Sequence, residues 1–248
     1  MYYRQTELAN CYRGNCGAFA AAYYQWASED KFIPIAPPDD SPLCTVNAIY
    51  NRDDVRLERM NPSGGEILTA YYRNIVKITD SKQLAQSISG GKKTELDAVI
   101  KDLNKYSSPI GLRNYLLTLP NSNDKEFEIW MPTSEEANIQ AFRKMLEYYG
   151  GEGAVKDGEI NNTVLAQQQC IACIELVYVK EKALSNLHYI LSFKDRGNGI
   201  ILYINPWCGF TRERKDGGWE ETYGVPDECV TFNFIPTGAG IVIWEKNL

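Results

Sequence analysis

Residues 188–207 read HYILSFKDRGNGIILYINPW: two runs rich in β-branched and aromatic residues, joined by the turn-forming segment DRGNG. Such runs, divided by Gly, Asn and Asp, are the mark of an antiparallel strand pair. A hairpin brings the start of its first strand beside the end of its second. His188 and Asn205 are therefore expected to be neighbours. The same pattern extends outward through CIACIELVYV (170–179), CVTFNFIP (229–236) and GIVIWEK (240–246).

Before residue 150 the pattern is helical. From Cys16 to Ser28, Phe19, Ala22, Tyr23 and Trp26 lie on one stripe at helical spacing, and Ala20 and Ala21 make the helix small enough to be buried further round. Further helices are expected at 81–89, 94–106, 109–117 and 134–149, the last with a Thr133/Glu136 capping box and a Gly150-Gly151 stop. IPIAPPDDSP (33–42), NPSGGE (61–66) and SISGGKK (87–93) read as loops. Helices followed by strands give an α+β fold, expected here as one domain over 1–248, mainly helical over 1–150 and mainly β over 151–248.

A formal net charge of −6, from 26 basic and 32 acidic residues, and the lack of a basic stripe argue against a nucleic-acid partner. No apolar run is long enough to span a bilayer, so no membrane insertion is expected. Met1–Gln5 does not begin a signal peptide, which implies a cytoplasmic location as synthesised, with any export by another route. Of the 7 cysteines, an even six remain if Cys16 is free; reduced thiols are expected. The sequence sets no oligomeric state.

Cys16 stands in GNCGAF (14–19), where the first helix should begin. A helix N-terminus favours a thiolate through its unpaired N–H groups and dipole. A free cysteine beside an apolar helix is also an ordinary small core residue. A thiol nucleophile needs a general base held by an orienting group. The chain contains a single histidine, His188, and Asn205 is expected beside it, with Trp207 two residues on as a cover that excludes water.

These residues together resemble the papain-like cysteine peptidases, including the calpains and staphopains. GNCGAF is similar to the family's G-S-C-W-A-F at Gly14, Cys16, Ala18 and Phe19, and ILYINPWCG to its N-S-W-G and N-P-W forms; the order Cys, His, Asn also agrees. The resemblance implies a central helix carrying Cys16, packed on an antiparallel sheet or barrel lobe. It implies Cys16 as nucleophile, His188 as base and then acid, Asn205 as the orienting group, a protein or peptide substrate, and no cofactor. Where the family has an oxyanion-hole Gln, six residues before the nucleophile, this chain has Asn10, with Gln5 as the alternative. Gly17 replaces the family's Trp and is expected to open the wall beside the sulfur. Small residues occur there in relatives with other acyl chemistry, which keeps glutamine deamidation, transglutamination and peptidoglycan amide cleavage as alternatives, together with an inactive binding module.

Other motifs carry less. Cys170 and Cys173 form a lone CxxC in an apolar run, where i and i+3 are expected on opposite faces of a sheet and no further zinc ligands stand nearby. Asp39-Asp40 and Asp53-Asp54 lack calcium-loop spacing, and Asn161-Asn162-Thr163 is a sequon relevant only to a secreted eukaryotic protein.

Overall fold

The computed structural model describes residues 14–28, 42–179, 181–194, 201–206, 209–211, 214–215, 218–219, 223–224 and 234–246. In chain order the elements are α1 Cys16–Ser28, α2 Pro42–Tyr50, α3 Gly64–Val76, α4 Ser81–Ser89, α5 Leu96–Leu103, α6 Pro109–Leu116, β1 Lys125–Met131, α7 Ala137–Gly150, β2 Lys156–Asp157 and α8 Asn162–Ala166. There follow β3 Cys170–Val179, β4 Leu187–Lys194, β5 Ile201–Asn205, β6 Gly209–Thr211, β7 Arg214–Lys215, β8 Gly218–Trp219, β9 Tyr223–Gly224 and β10 Phe234–Glu245. The fold is α+β. Among the described residues, eight strands form one sheet in the order β2-β1-β10-β3-β4-β5-β6-β9, and β7-β8 form a small ribbon apart. Every neighbouring pair in the large sheet is antiparallel except β1 with β2.

α1 is the centre of the molecule. Ten of its thirteen residues are buried, which requires apolar or small side chains all round, as Ala18, Ala20, Ala21 and Ala22 supply. Phe19, Tyr23 and Tyr24 are sealed from solvent, each adding about 1.5–3 kcal/mol of burial. One core joins α1 to the facing side chains of the sheet, including Phe127, Ile129, Ile174, Leu176, Tyr189, Leu191, Ile204, Ile241 and Ile243. The opposite face of the sheet carries a smaller cluster of Ile160, Val164, Leu165, Cys170, Cys173, Val177, Ile190, Tyr203, Phe234 and Val242.

Several expectations are corrected. The division at residue 150 is not clean, because β1 lies before it and pairs along its length with β10. Its alternating burial follows KEFEIWM, a strand pattern set among helices. The segment read as a loop at 61–66 holds a helix start: Ser63 Oγ accepts the Glu66 N–H while the Glu66 carboxylate accepts the Ser63 N–H. Gly64 and Gly65 belong there because an added Cβ would meet Leu57 at 2.7 Å and Asn104 Oδ1 at 2.5 Å. The capping box of α7 does not form. The Glu136 carboxylate instead accepts the Tyr178 hydroxyl at 2.6 Å and pairs with Lys182 at 3.3 Å. The runs 229–236 and 240–246 are not separate strands in their described part, since β10 continues from Phe234 to Glu245 through an irregularity between Pro236 and Ala239.

Candidate functional site

α1 begins where its sequence permits a close approach. Gly14 takes φ +101°, and a Cβ there would lie 2.1 Å from the Lys105 carbonyl oxygen. The segment just before α6 thus forms a seat for the turn into α1. Ser107 Oγ donates to the Gly14 carbonyl at 3.4 Å, and the Tyr50 hydroxyl donates to the Lys105 carbonyl at 2.7 Å. Gly17 serves this same packing rather than opening a cleft wall, because its missing Cβ would meet Leu112 and Ser107, each at 2.8 Å.

The sheet brings His188 and Asn205 together, on the face that carries Ile190, Tyr203 and Phe234. The face of Tyr189 and Leu191 is the one that packs on α1, so the structure does not place the imidazole in contact with Cys16. β4 and β5 pair antiparallel from Lys194↔Ile201 to Leu191↔Ile204, leaving the start of β4 beyond the end of the ladder. There the His188 Nε2–H donates to Asn205 Oδ1 at 2.8 Å, in the neighbourhood expected from the strand pair. Phe234 stacks on the imidazole, with ring centres 5.7 Å apart and planes inclined by 26°. Asn205 Oδ1 assigns the Nε2–H tautomer and makes Nδ1 the ring nitrogen suited to accept a proton. Cys16 is linked to β4 through the next residue of the strand, for the backbone amide of Tyr189, with those of Gly17 and Cys16 itself, favours its thiolate. The Tyr189 side chain turns to the helical layer, where its hydroxyl donates to the Ser107 carbonyl at 2.9 Å.

The chemistry of this corner is governed by burial. Cys16, His188 and Asn205 are 2%, 4% and 3% exposed. Burial raises the Cys16 thiol to about 11, outweighing the three backbone donors that favour its thiolate. Burial likewise pushes the imidazole of His188 down to about 4, with the Asn205 bond opposing in part. Each group is uncharged at rest, a thiol at Cys16 and a neutral imidazole at His188. The phenols of Tyr106 and Tyr189 are held protonated, first by burial and then by the nearness of Cys16.

Stability should carry the same signature. The unfolded chain gains a proton at His188 near 6.5 whereas the folded chain does so at about 4, so stability falls as pH drops across that window, by about 3 kcal/mol. At the other end the unfolded thiol ionises near 9.0 and the folded one at about 11, so stability falls again as pH rises between them. Denaturant midpoints should form a plateau from about pH 6.5 to 9, and His188→Gln should flatten the acid side down to about pH 4. A wild-type midpoint that rises on acidification from pH 6.5 to 4 would contradict a neutral buried ring.

Asn10, Gln5 and Trp207 lie outside the described residues. Two contributors were missed by the sequence reading. Phe234, within the run FNFIP, is the ring on His188. Asn15 is fully buried, with both carboxamide atoms lacking a hydrogen-bond partner, directly before Cys16. Burying such a group unsatisfied costs about 1–3 kcal/mol, and its type, a polar residue between Gly14 and Cys16, was the available signal. Among the described residues no group of three or more His, Cys, Asp or Glu side chains is arranged to hold a metal ion, and no helix is long and apolar enough to cross a membrane. Comparison with protein-family models, curated proteins and solved structures finds no match.

Proposed function

We propose that this chain is a papain-like thiol hydrolase that cleaves amide bonds in a peptide or protein. The observation that carries the reading is the buried His188–Asn205 hydrogen bond, one residue along β4 from Tyr189, whose backbone amide acts on the thiol of the helix-terminal Cys16. Cys16 attacks the substrate carbonyl as its proton passes to His188 Nδ1. Because the resting pair is uncharged, attack and proton transfer proceed together rather than from a standing ion pair. The carbonyl oxygen, now negative, takes the helix-terminal N–H groups and the Asn15 amide as its donors. His188 then gives its proton to the leaving amine, and the carbon–nitrogen bond breaks to leave a thioester. A water molecule hydrolyses the thioester with His188 again as base, restoring the thiol.

The unpartnered Asn15 carboxamide supports an amide-bearing substrate, since its NH2 group donates and its carbonyl oxygen accepts. A primary side-chain amide satisfies it as well as a peptide bond does, so glutamine deamidation uses the same machinery. A digest of a peptide library separates them: the proposed peptidase yields new termini, and a deamidase releases ammonia from intact chains.

A second reading has its own support. A cysteine 2% exposed with its thiol raised to about 11 is also what an inert core residue looks like, and an inactive binding module would show it. Alkylation decides between them. With a peptidyl electrophile near neutral pH, Cys16 of an enzyme is expected to be labelled in the wild type and not in His188→Ala, since its uncharged thiol needs the imidazole as base. Labelling at the same rate in both would favour the inactive module.

A further inference from the structure

We propose that Cys170 and Cys173 are a redox-closing dithiol, a pair that a hydroperoxide converts to an intrachain disulfide and a small thiol reopens. The inference rests on an irregularity of β3 and is independent of the proposed activity. Along β10, Ile243 pairs with Ala172 but Trp244 pairs with Cys170, so Ile171 is an extra residue bulged out of the ladder. Without it, strand alternation would send positions 170 and 173 to opposite faces, as the sequence led one to expect. The bulge turns Cys170 onto the face of Cys173, and both join the cluster on the side of the sheet away from α1. Their sulfurs lie 3.8 Å apart.

The surroundings fit a reactive pair better than inert packing. Lys194 donates to the Gln167 carbonyl at 2.9 Å, and the same carbonyl accepts the Cys170 N–H at 3.1 Å, which stations a cation beside the first thiol. The Cys173 contact is the main influence lowering the Cys170 thiol, with Lys194 assisting against burial and Glu175. Cys170 is thereby the attacking sulfur and Cys173 the resolving one. Both are sealed, at 1% and 0% exposure, partly under Val164 and Leu165 of the five-residue helix α8. Entry of the oxidant therefore depends on local opening there.

The atoms balance in two steps. The Cys170 thiolate attacks the terminal peroxide oxygen, the O–O bond breaks, and the departing oxygen leaves as water or alcohol after taking up the thiol proton. The Cys173 sulfur then attacks the sulfenic sulfur of Cys170, the S–O bond breaks, and the hydroxide leaves as water with the second thiol proton. Two thiols have lost two electrons to one peroxide, and the sulfurs have closed from 3.8 Å to about 2.05 Å.

The test uses the intact chain, with Cys16→Ala to keep the candidate nucleophile silent, and hydrogen peroxide as the probe. After acid quenching, denaturation and alkylation, tryptic mapping isolates residues 157–180, which contain no other cysteine. The expected product is this peptide unalkylated and two hydrogens lighter, restored to double alkylation by dithiothreitol. Cys173→Ser should stop Cys170 at sulfenic acid, trapped by dimedone. Full alkylation of 157–180 under peroxide that oxidises Cys44, or direct passage to sulfinic acid without the bridged form, overturns the proposal. The wild-type peptide alone decides the matter if the serine variant does not fold.

Discussion

Cys16→Ala and His188→Ala are each expected to lower amide hydrolysis by about ten-thousandfold or more while leaving the fold intact. The first removes the atom that is acylated in the proposed mechanism. The second removes the only imidazole in the chain, so no other histidine can assume the proton transfer. Losses in members of one catalytic unit are not additive, and the double variant should be no worse than either single one. Asn205→Ala should cost less, about a hundredfold, because it releases the ring without removing it. It should also destabilise the fold by about 1–3 kcal/mol, since the Nε2–H would be left buried without its acceptor. Rates against a peptide library, with thermal melts of each variant, measure both effects. Full activity in His188→Ala would end the proposed mechanism.

The second large effect is on folding. Gly14→Ala is expected to destabilise the protein by about 3–5 kcal/mol. A positive φ of +101° is strained for any residue with a side chain, and the added methyl would lie 2.1 Å from a backbone oxygen, an atom that cannot rotate away. The turn into α1 would have to leave its seat on Lys105, carrying Cys16 with it. Gly91 supplies the control. It too has a positive φ, +79°, but nothing lies within 4 Å of its added Cβ, so Gly91→Ala should cost only about 1 kcal/mol. Denaturant unfolding of the two variants separates backbone strain from collision. Equal losses would remove the argument from the Lys105 contact.

What the sequence disclosed followed local rules. The Phe19, Tyr23 and Trp26 stripe marked α1 at the bounds observed, and CIACIELVYV marked β3 from end to end, because apolar periodicity and β-branched runs act over a few residues. The His188–Asn205 contact was legible because a hairpin converts chain distance into spatial pairing. Long-range effects were not. β1 was missed although KEFEIWM alternates locally, because the strand stands among helices and its partner β10 lies more than a hundred residues away. The Cys170–Cys173 contact depends on a bulge recorded only in the pairing with β10. Gly17 was misread for the same reason, since the atoms that forbid a side chain there belong to Ser107 and Leu112.

The sulfur of Cys16 takes donors from two layers of the molecule: Gly17 from the helical layer and Tyr189 from the sheet. Its acidity is therefore a gauge of how closely those layers are docked. Were α1 to draw back from β4, the Tyr189 N–H would be lost to the sulfur while water gained entry, two changes of opposite sign on the thiol. The Cys16 sulfur and the seam of the core are one feature, and the titration of its thiol is expected to follow how closely α1 is docked on β4.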